Sequence, residues 1–261
     1  MSEPMILRDV VSTGTDEVGD LRLDWAVACH VGSVRPANED AALALDGRYL
    51  LADGMGGHES GELASEAALQ TLASAPVGRS LAETSGALEG LLVEAQDRIG
   101  ALDGESARRA GTTATGVVLA TEHDTPHWVA FNIGDSRTYL ITGGRLVPVS
   151  MDHSQVQELV NSGVLTAEQA RVDPRRNVIT RALGAGMAAP QADFYAFRAR
   201  PGDAVLLCSD GLNGELTDAE IETVVTAAEG DLEVAAEALI ECALASGGHD
   251  NITVLLVRIA D

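Results

Sequence analysis

Residues 47–69 read GRYLLADGMGGHESGELASEAAL. The apolar run from Tyr49 to Ala52 ends in Asp53, a glycine-rich turn follows, and Leu63, Ala64, Ala67, Ala68 and Leu72 then recur at helical spacing. A buried strand that delivers a carboxylate to its end, followed by glycines that let the backbone pass close to a ligand, accounts for this order. Alone, the stretch fits an ordinary strand–turn–helix junction equally well, since Asp and Gly are common turn residues. Other acids in the same context tip the balance. Glu39 and Asp40 precede a strand-like run, Asp135 follows VAFNIG, Asp210 follows VLLCS, and Asp250 precedes ITVLLV.

Outward from that stretch the pattern is mixed. Residues 23–31 read as a strand, and 41–45 with 49–52 read as a hairpin about Asp46-Gly47, a favoured tight-turn pair. Helices are expected near 60–75 and 80–102, with Ser80/Glu83 as a capping box for the second. Strands are expected at 112–121, 128–133, 138–142 and 145–149, the last two joined at Gly143-Gly144. Consecutive hairpins point to antiparallel sheet. Residues 152–186 switch to short polar helices, with Ser154/Gln157 and Thr166/Gln169 as capping boxes, and read as a small flap over the sheet. Strands resume at 194–198 and 204–208. Helices capped by Thr217/Glu220 and spanning 231–245 follow, and a strand at 252–259 closes the chain. Residues 1–22 are polar and acidic without a clear period and are expected to form a loose or lightly docked tail, leaving 23–261 as one domain.

The chain has 261 residues and a formal net charge of -23, and every one of its 17 basic residues is Arg. The absence of lysine excludes a Walker-type phosphate loop and a Schiff-base lysine. The acidity argues against nucleic acid or an anionic membrane as partner. No stretch approaches the ~20 apolar residues of a membrane span, and the start lacks the pattern of a signal peptide. Cys29, Cys208 and Cys242 read as structural thiols in a reducing cytoplasm.

Apolar strands that end in carboxylates inside a cleft leave those carboxylates in need of partners. Two of them ~4 Å apart repel by ~4 kcal/mol at an effective dielectric of 20. With no lysine and few nearby arginines, divalent cations are the natural compensators. Hard oxygen ligands without a Cys/His cluster point to Mg²⁺ or Mn²⁺ rather than zinc.

Eight blocks carry a more specific signal: VRPANEDA (34–41), LLADGMGGH (50–58), GTTAT (111–115), NIGDSR (132–137), DHS (152–154), NVITRALG (177–184), PGDAVLLCSDGL (201–212) and GHDNITVLLV (248–257). In this order they resemble the metal-dependent protein phosphatase family, type 2C, in its bacterial branch. The resemblance implies an α+β fold: a four-layer α-β-β-α sandwich of two antiparallel sheets flanked by helices, with metals in a cleft at one end. It implies that Asp53 bridges two metals, that Asp210 and Asp250 complete the ligands of the first metal, and that Glu39 and the Gly54 carbonyl complete those of the second metal. Asp40 would orient water, Arg35 would hold the substrate phosphate, Asn251 would support Asp250, and Asp135 with Asp210 would hold a weaker third metal. Met55 stands where eukaryotic members carry a proposed proton donor, which leaves His58 and His153 as nearby candidates, a structural role being the better reading of both. Gly214 stands where many relatives carry Asp or Asn.

The implied activity is hydrolysis of phosphoserine and phosphothreonine in proteins, including a Ser/Thr protein kinase or its substrates, by a cytoplasmic monomer. Five acids, two divalent cations and Arg35 would leave the loaded site about neutral before a phosphate dianion arrives. The competing reading is a phosphatase-like regulatory module without catalysis. A calcium-buffering protein would need a D-x-D-x-D-G loop closed by Glu, which the sequence lacks.

Overall fold

The computed structural model describes residues 4–56, 59–102 and 109–260. In chain order the elements begin β1 (Val11–Val18), β2 (Leu21–His30), β3 (Asp40–Leu45), β4 (Arg48–Met55), α1 (Glu59–Leu72) and α2 (Leu81–Gly100). They continue β5 (Gly111–Thr112), β6 (Ala114–Glu122), β7 (Thr125–Ile133), β8 (Arg137–Thr142), β9 (Arg145–Pro148), α3 (Gln155–Asn161) and α4 (Ala167–Val172). The last are β10 (Leu183–Gly184), β11 (Asp193–Arg198), β12 (Ala204–Cys208), α5 (Asp210–Asn213), α6 (Asp218–Ala227), α7 (Leu232–Ser246) and β13 (Ile252–Ile259).

One sheet runs β1-β2-β13-β12-β8-β9. The other runs β10-β5-β4-β6-β7-β11, with β3 paired to β4. Every strand pairing among the described residues is antiparallel. Three apolar cores separate four layers, in agreement with the expected α-β-β-α sandwich. Leu23, Val27, Val205 and Leu255 meet Tyr49, Leu51, Val117 and Trp128 between the sheets. Leu50, Ala52 and Phe131 pack outward onto Leu69, Leu72, Leu88 and Ile99 of α1 and α2. Val254 and Leu256 pack outward onto Leu212, Ile221 and Leu239 of α5–α7. The central strands are thus covered on both faces, which is why β4 and β13 are apolar runs rather than polar–apolar alternations.

The two expected tight turns form. Asp46 and Gly47 have φ of 44° and 83°, and Gly143 and Gly144 have 56° and 73°, the positive values a two-residue hairpin needs. A third such turn, at His123 (φ 49°) and Asp124 (φ 56°), contains no glycine and had no marker in the sequence. Boxes at Ser80/Glu83, Thr166/Gln169 and Thr217/Glu220 close in both directions. At Ser154 only the forward half forms, because the Gln157 side chain turns to Asn161 instead, 2.9 Å away.

Three expectations need correction. The N-terminal segment is no loose tail: β1 pairs along its whole length with β2. Asp16 anchors it by accepting hydrogen bonds from Tyr49 Oη (2.7 Å) and Trp25 Nε1 (3.3 Å), so an acid in a polar stretch satisfies two aromatic polar tips. Asp53 does not end its strand, since β4 continues through Gly54 and Met55 to pair with β5. The flap closes before residue 186, because β10 already belongs to the second sheet.

Candidate functional site

β3 and β4 place Asp40 directly opposite Asp53. The Asp53 amide donates to Thr113 Oγ1 (3.0 Å), and its carbonyl accepts from Thr113 N and Thr112 Oγ1, each at 2.9 Å. The peptide is thereby pinned while its carboxylate stays available. One residue on, a Cβ on Gly54 would overlap the Gly61 carbonyl oxygen and lie 2.6 Å from that of Glu39. Glycine alone lets α1 come so close. Asp210 opens α5 just past β12, and a Cβ on its neighbour Gly211 would overlap the Asn251 carbonyl oxygen, so the chain crosses the start of β13 at the closest approach possible. Asp250 precedes β13. Its Oδ2 accepts from Arg35 Nη2 (2.6 Å) and its Oδ1 from the Asn251 amide (2.8 Å).

Asn251 thus touches the Asp250 carboxylate through its backbone amide, while its side chain holds the loop ahead of β3: Nδ2 donates to the carbonyls of Val31 (2.9 Å) and Ala37 (3.0 Å), and Oδ1 accepts from the Glu39 amide (2.9 Å). Asp135, in the turn after β7, is buried and its Oδ1 makes no hydrogen bond. Behind it Arg137 grips Asp152 with two bonds of 2.7 Å. His153 is buried, accepts from the Gly134 amide at Nδ1 (3.2 Å) and has Asp193 and Arg181 at Nε2, so it braces the Asp135 turn. His58 lies outside the described residues.

The carboxylates feel one another. Burial, then repulsion from Asp40, Asp210, Asp135 and Asp250, raises the pKa of Asp53 well above the ordinary range. Burial also raises Asp40 to about 7, against the opposing Ser209 and Thr253 hydroxyls, and neither Asp40 oxygen makes a hydrogen bond of good geometry. Asp210 rises to about 6 through burial and Asp250. Asp135 is raised by burial, then Asp210 and Asp152. Burial opposes charge on Arg35, yet Asp250, followed by Asp210 and Asp53, holds its pKa above the usual value. The structure therefore brings Asp40, Asp53, Asp135, Asp210, Asp250 and Arg35 into one electrostatic cluster.

This donor set fits divalent cations in its chemistry: hard oxygens, buried, mutually repelling and short of hydrogen-bond donors. It is not drawn tight, and among the described residues no three His, Cys, Asp or Glu side chains form a ready ligand group. A cleft of about 400 Å³ adjoins the cluster, reaching from Asp135 and Asp210 to Arg171 and Arg176 of the flap.

A family model, Protein phosphatase 2C, matches residues 34–244. The chain belongs to the protein phosphatase 2C family. Serine/threonine protein phosphatase PstP of Mycobacterium tuberculosis is 36% identical to this family member over 249 residues, which cover 92% of the present chain. They cover only 46% of PstP, so the chain spans about half the length of that relative. Serine/threonine phosphatase stp of Listeria welshimeri is 33% identical over 238 residues, covering 87% of this chain and 92% of its own. Among solved phosphatase structures, the PstP catalytic domain in complex with 2 manganese ions aligns with a TM-score of 0.78 at 34% identity, covering 92% of this chain and 100% of that one. No helix among the described residues of this phosphatase 2C family member is long and apolar enough to cross a membrane.

Sequence reasoning missed the residues that hold the acids in place. Thr113, Ser65, Asn38 and Arg8 each bond backbone or side chains around the cluster. Arg8 carried no signal, sitting in a stretch without periodicity.

Proposed function

We propose that the chain hydrolyses phosphoserine and phosphothreonine esters in proteins with two divalent cations, Mn²⁺ or Mg²⁺. The observation that carries this reading is the buried cluster of Asp40, Asp53, Asp135 and Asp210, each with a raised pKa and none with a lysine to offset it. Asp53, Asp210 and Asp250 would hold one cation, and Asp53, Glu39 and the Gly54 carbonyl the other. When bound, the cations supply Lewis acidity, which makes water a nucleophile near neutral pH and offsets charge at phosphorus. Asp40, with both carboxylate oxygens lacking hydrogen bonds of good geometry, accepts from a water and orients it. Arg35, about half exposed at the mouth, exchanges its bond to Asp250 for a forked pair of bonds to the phosphate.

Asp135 with Asp210 would take a weaker third cation. The fully paired surroundings of His153 make it a brace rather than a proton donor. Substrates would include a Ser/Thr protein kinase or that kinase's targets, and the chain would work as a cytoplasmic monomer, in keeping with free cysteines at 29, 208 and 242. The test is a metal-titrated assay on a phosphothreonine peptide beside Asp53→Asn. Turnover should require Mn²⁺ or Mg²⁺, and the variant should lose more than the ~100-fold typical of removing an outer partner of a metal ligand. Full turnover in excess chelator, or an Asp53→Asn enzyme as active as wild type, would overturn the reading.

A further inference from the structure

Residues 6–9 precede the first long strand, and nothing in their sequence ties them to the site. In the fold they clasp it. Leu7 exchanges two backbone hydrogen bonds with Ala42 (2.9 and 3.0 Å), giving β3 a partner on its outer edge. The Arg8 side chain, 16% exposed, then turns inward. Its Nε donates to the Asp40 carbonyl (2.9 Å), Nη1 to Glu62 Oε1 (2.6 Å), and Nη2 to the Glu62 carbonyl (3.2 Å) and Ser65 Oγ (3.1 Å). Ser65 Oγ donates to the Glu39 carbonyl (2.7 Å), which also accepts from the Gly54 amide (3.2 Å). Asp9 Oδ1 accepts from Asn38 Nδ2 (2.7 Å), and Asn38 Oδ1 accepts from the Asp40 amide (3.1 Å).

Residues 8 and 9 thus reach both peptide groups of Asp40 and, through Ser65, the carbonyl of Glu39. A guanidinium offers donors in a fixed planar fork, which suits one side chain to holding a β-strand and α1 in register. We propose that Arg8 is a positioning residue for the cation site, with Asp9 as its companion: together they set the Glu39–Asp40 backbone and α1 against Gly54. The inference rests on the reading that Glu39, Asp40 and Gly54 serve bound divalent cations.

The test measures Mn²⁺ binding calorimetrically in the full chain, together with the rise in Tm that Mn²⁺ produces and kcat and KM on p-nitrophenyl phosphate. Wild type is compared with Arg8→Met, Arg8→Lys and Arg258→Met. Arg258 bonds the Gly230 carbonyl and serves as a structural control. Arg8→Met should weaken Mn²⁺ ~10–100-fold, the range for residues that orient metal ligands, with KM at saturating Mn²⁺ little changed. Arg8→Lys should recover part of the loss, and Arg258→Met should lower Tm while binding Mn²⁺ as wild type does. An Arg8→Met protein that loses Tm yet keeps wild-type Mn²⁺ affinity overturns the proposal. Should Arg8→Met fail to fold, Asp9→Asn and Ser65→Ala carry the test, and unchanged affinity in both also overturns it. A wild-type chain that takes up no Mn²⁺ sinks the underlying phosphatase reading as well, whereas wild-type binding with unaffected variants sinks the positioning role alone.

Discussion

At Gly54 the backbone of β4 meets α1 so closely that a methyl group would strike two carbonyl oxygens, those of Gly61 and Glu39. Both are backbone atoms, so relief must come from moving a whole element. Gly54→Ala should cost ~1–3 kcal/mol, the usual cost of overpacking, and weaken Mn²⁺ binding, as denaturant melts and calorimetry would show. The acids have a pH signature. Asp40 and Asp210 carry pKa values of about 7 and about 6 in the fold, raised from 3.8, so the folded chain holds these protons more tightly than the unfolded one. Their burdening of the cation-free fold is therefore complete above about pH 7 and is relieved as pH falls toward 4. Cation binding has the opposite sign, because it competes with the same protons. Tm in chelator should rise between pH 8 and 5.5 while Mn²⁺ affinity falls across that window.

The flap helices are tied to the body partly through Arg171. Arg171 on α4 donates to the carbonyl of Asn213 (3.0 Å), the last residue of α5, and to that of Leu216 (3.4 Å) just beyond it. Arg171→Ala should loosen α3 and α4, seen as faster hydrogen exchange over residues 155–172. Global Tm should stay nearly constant, since neither helix contributes much to the three cores. Of the paired arginines in the flap, Arg175 is spent on Asp173, with bonds of 2.8 Å from Nε and Nη2. Arg176 lines the cleft. The capping boxes show how far local signals reach. Ser80, Thr166 and Thr217 announced their helices because each box lies within four consecutive residues. Strand β1 announced nothing although its partner β2 follows directly across Gly19-Asp20, because its polar residues alternate between exposed and half-buried without an apolar face, and its anchor Tyr49 lies elsewhere in the chain.

Across the whole molecule the two sheets share one apolar seam. Leu255 is fully buried in it, facing the opposite sheet. Leu255→Ala should cost ~2–5 kcal/mol, measured by denaturant unfolding, with Mn²⁺ affinity unchanged if the sandwich stays closed. That seam also explains the location of the site. Asp53, Asp210 and Asp250 come from β4, the turn after β12 and the turn before β13, strands of both sheets, and meet only because the sheets stack.

The residues themselves settled most element types, the antiparallel pairing, two hairpin turns and which acids to watch, because periodicity, capping and turn chemistry act over a few neighbouring positions. Tertiary structure alone decided that Asp16 ties β1 to Tyr49, that the Asn251 side chain grips the Glu39 loop, and that Arg8 braces Asp40. Each of those depends on a hydrogen bond whose partner becomes a neighbour only after the chain has folded, and no local pattern records that meeting.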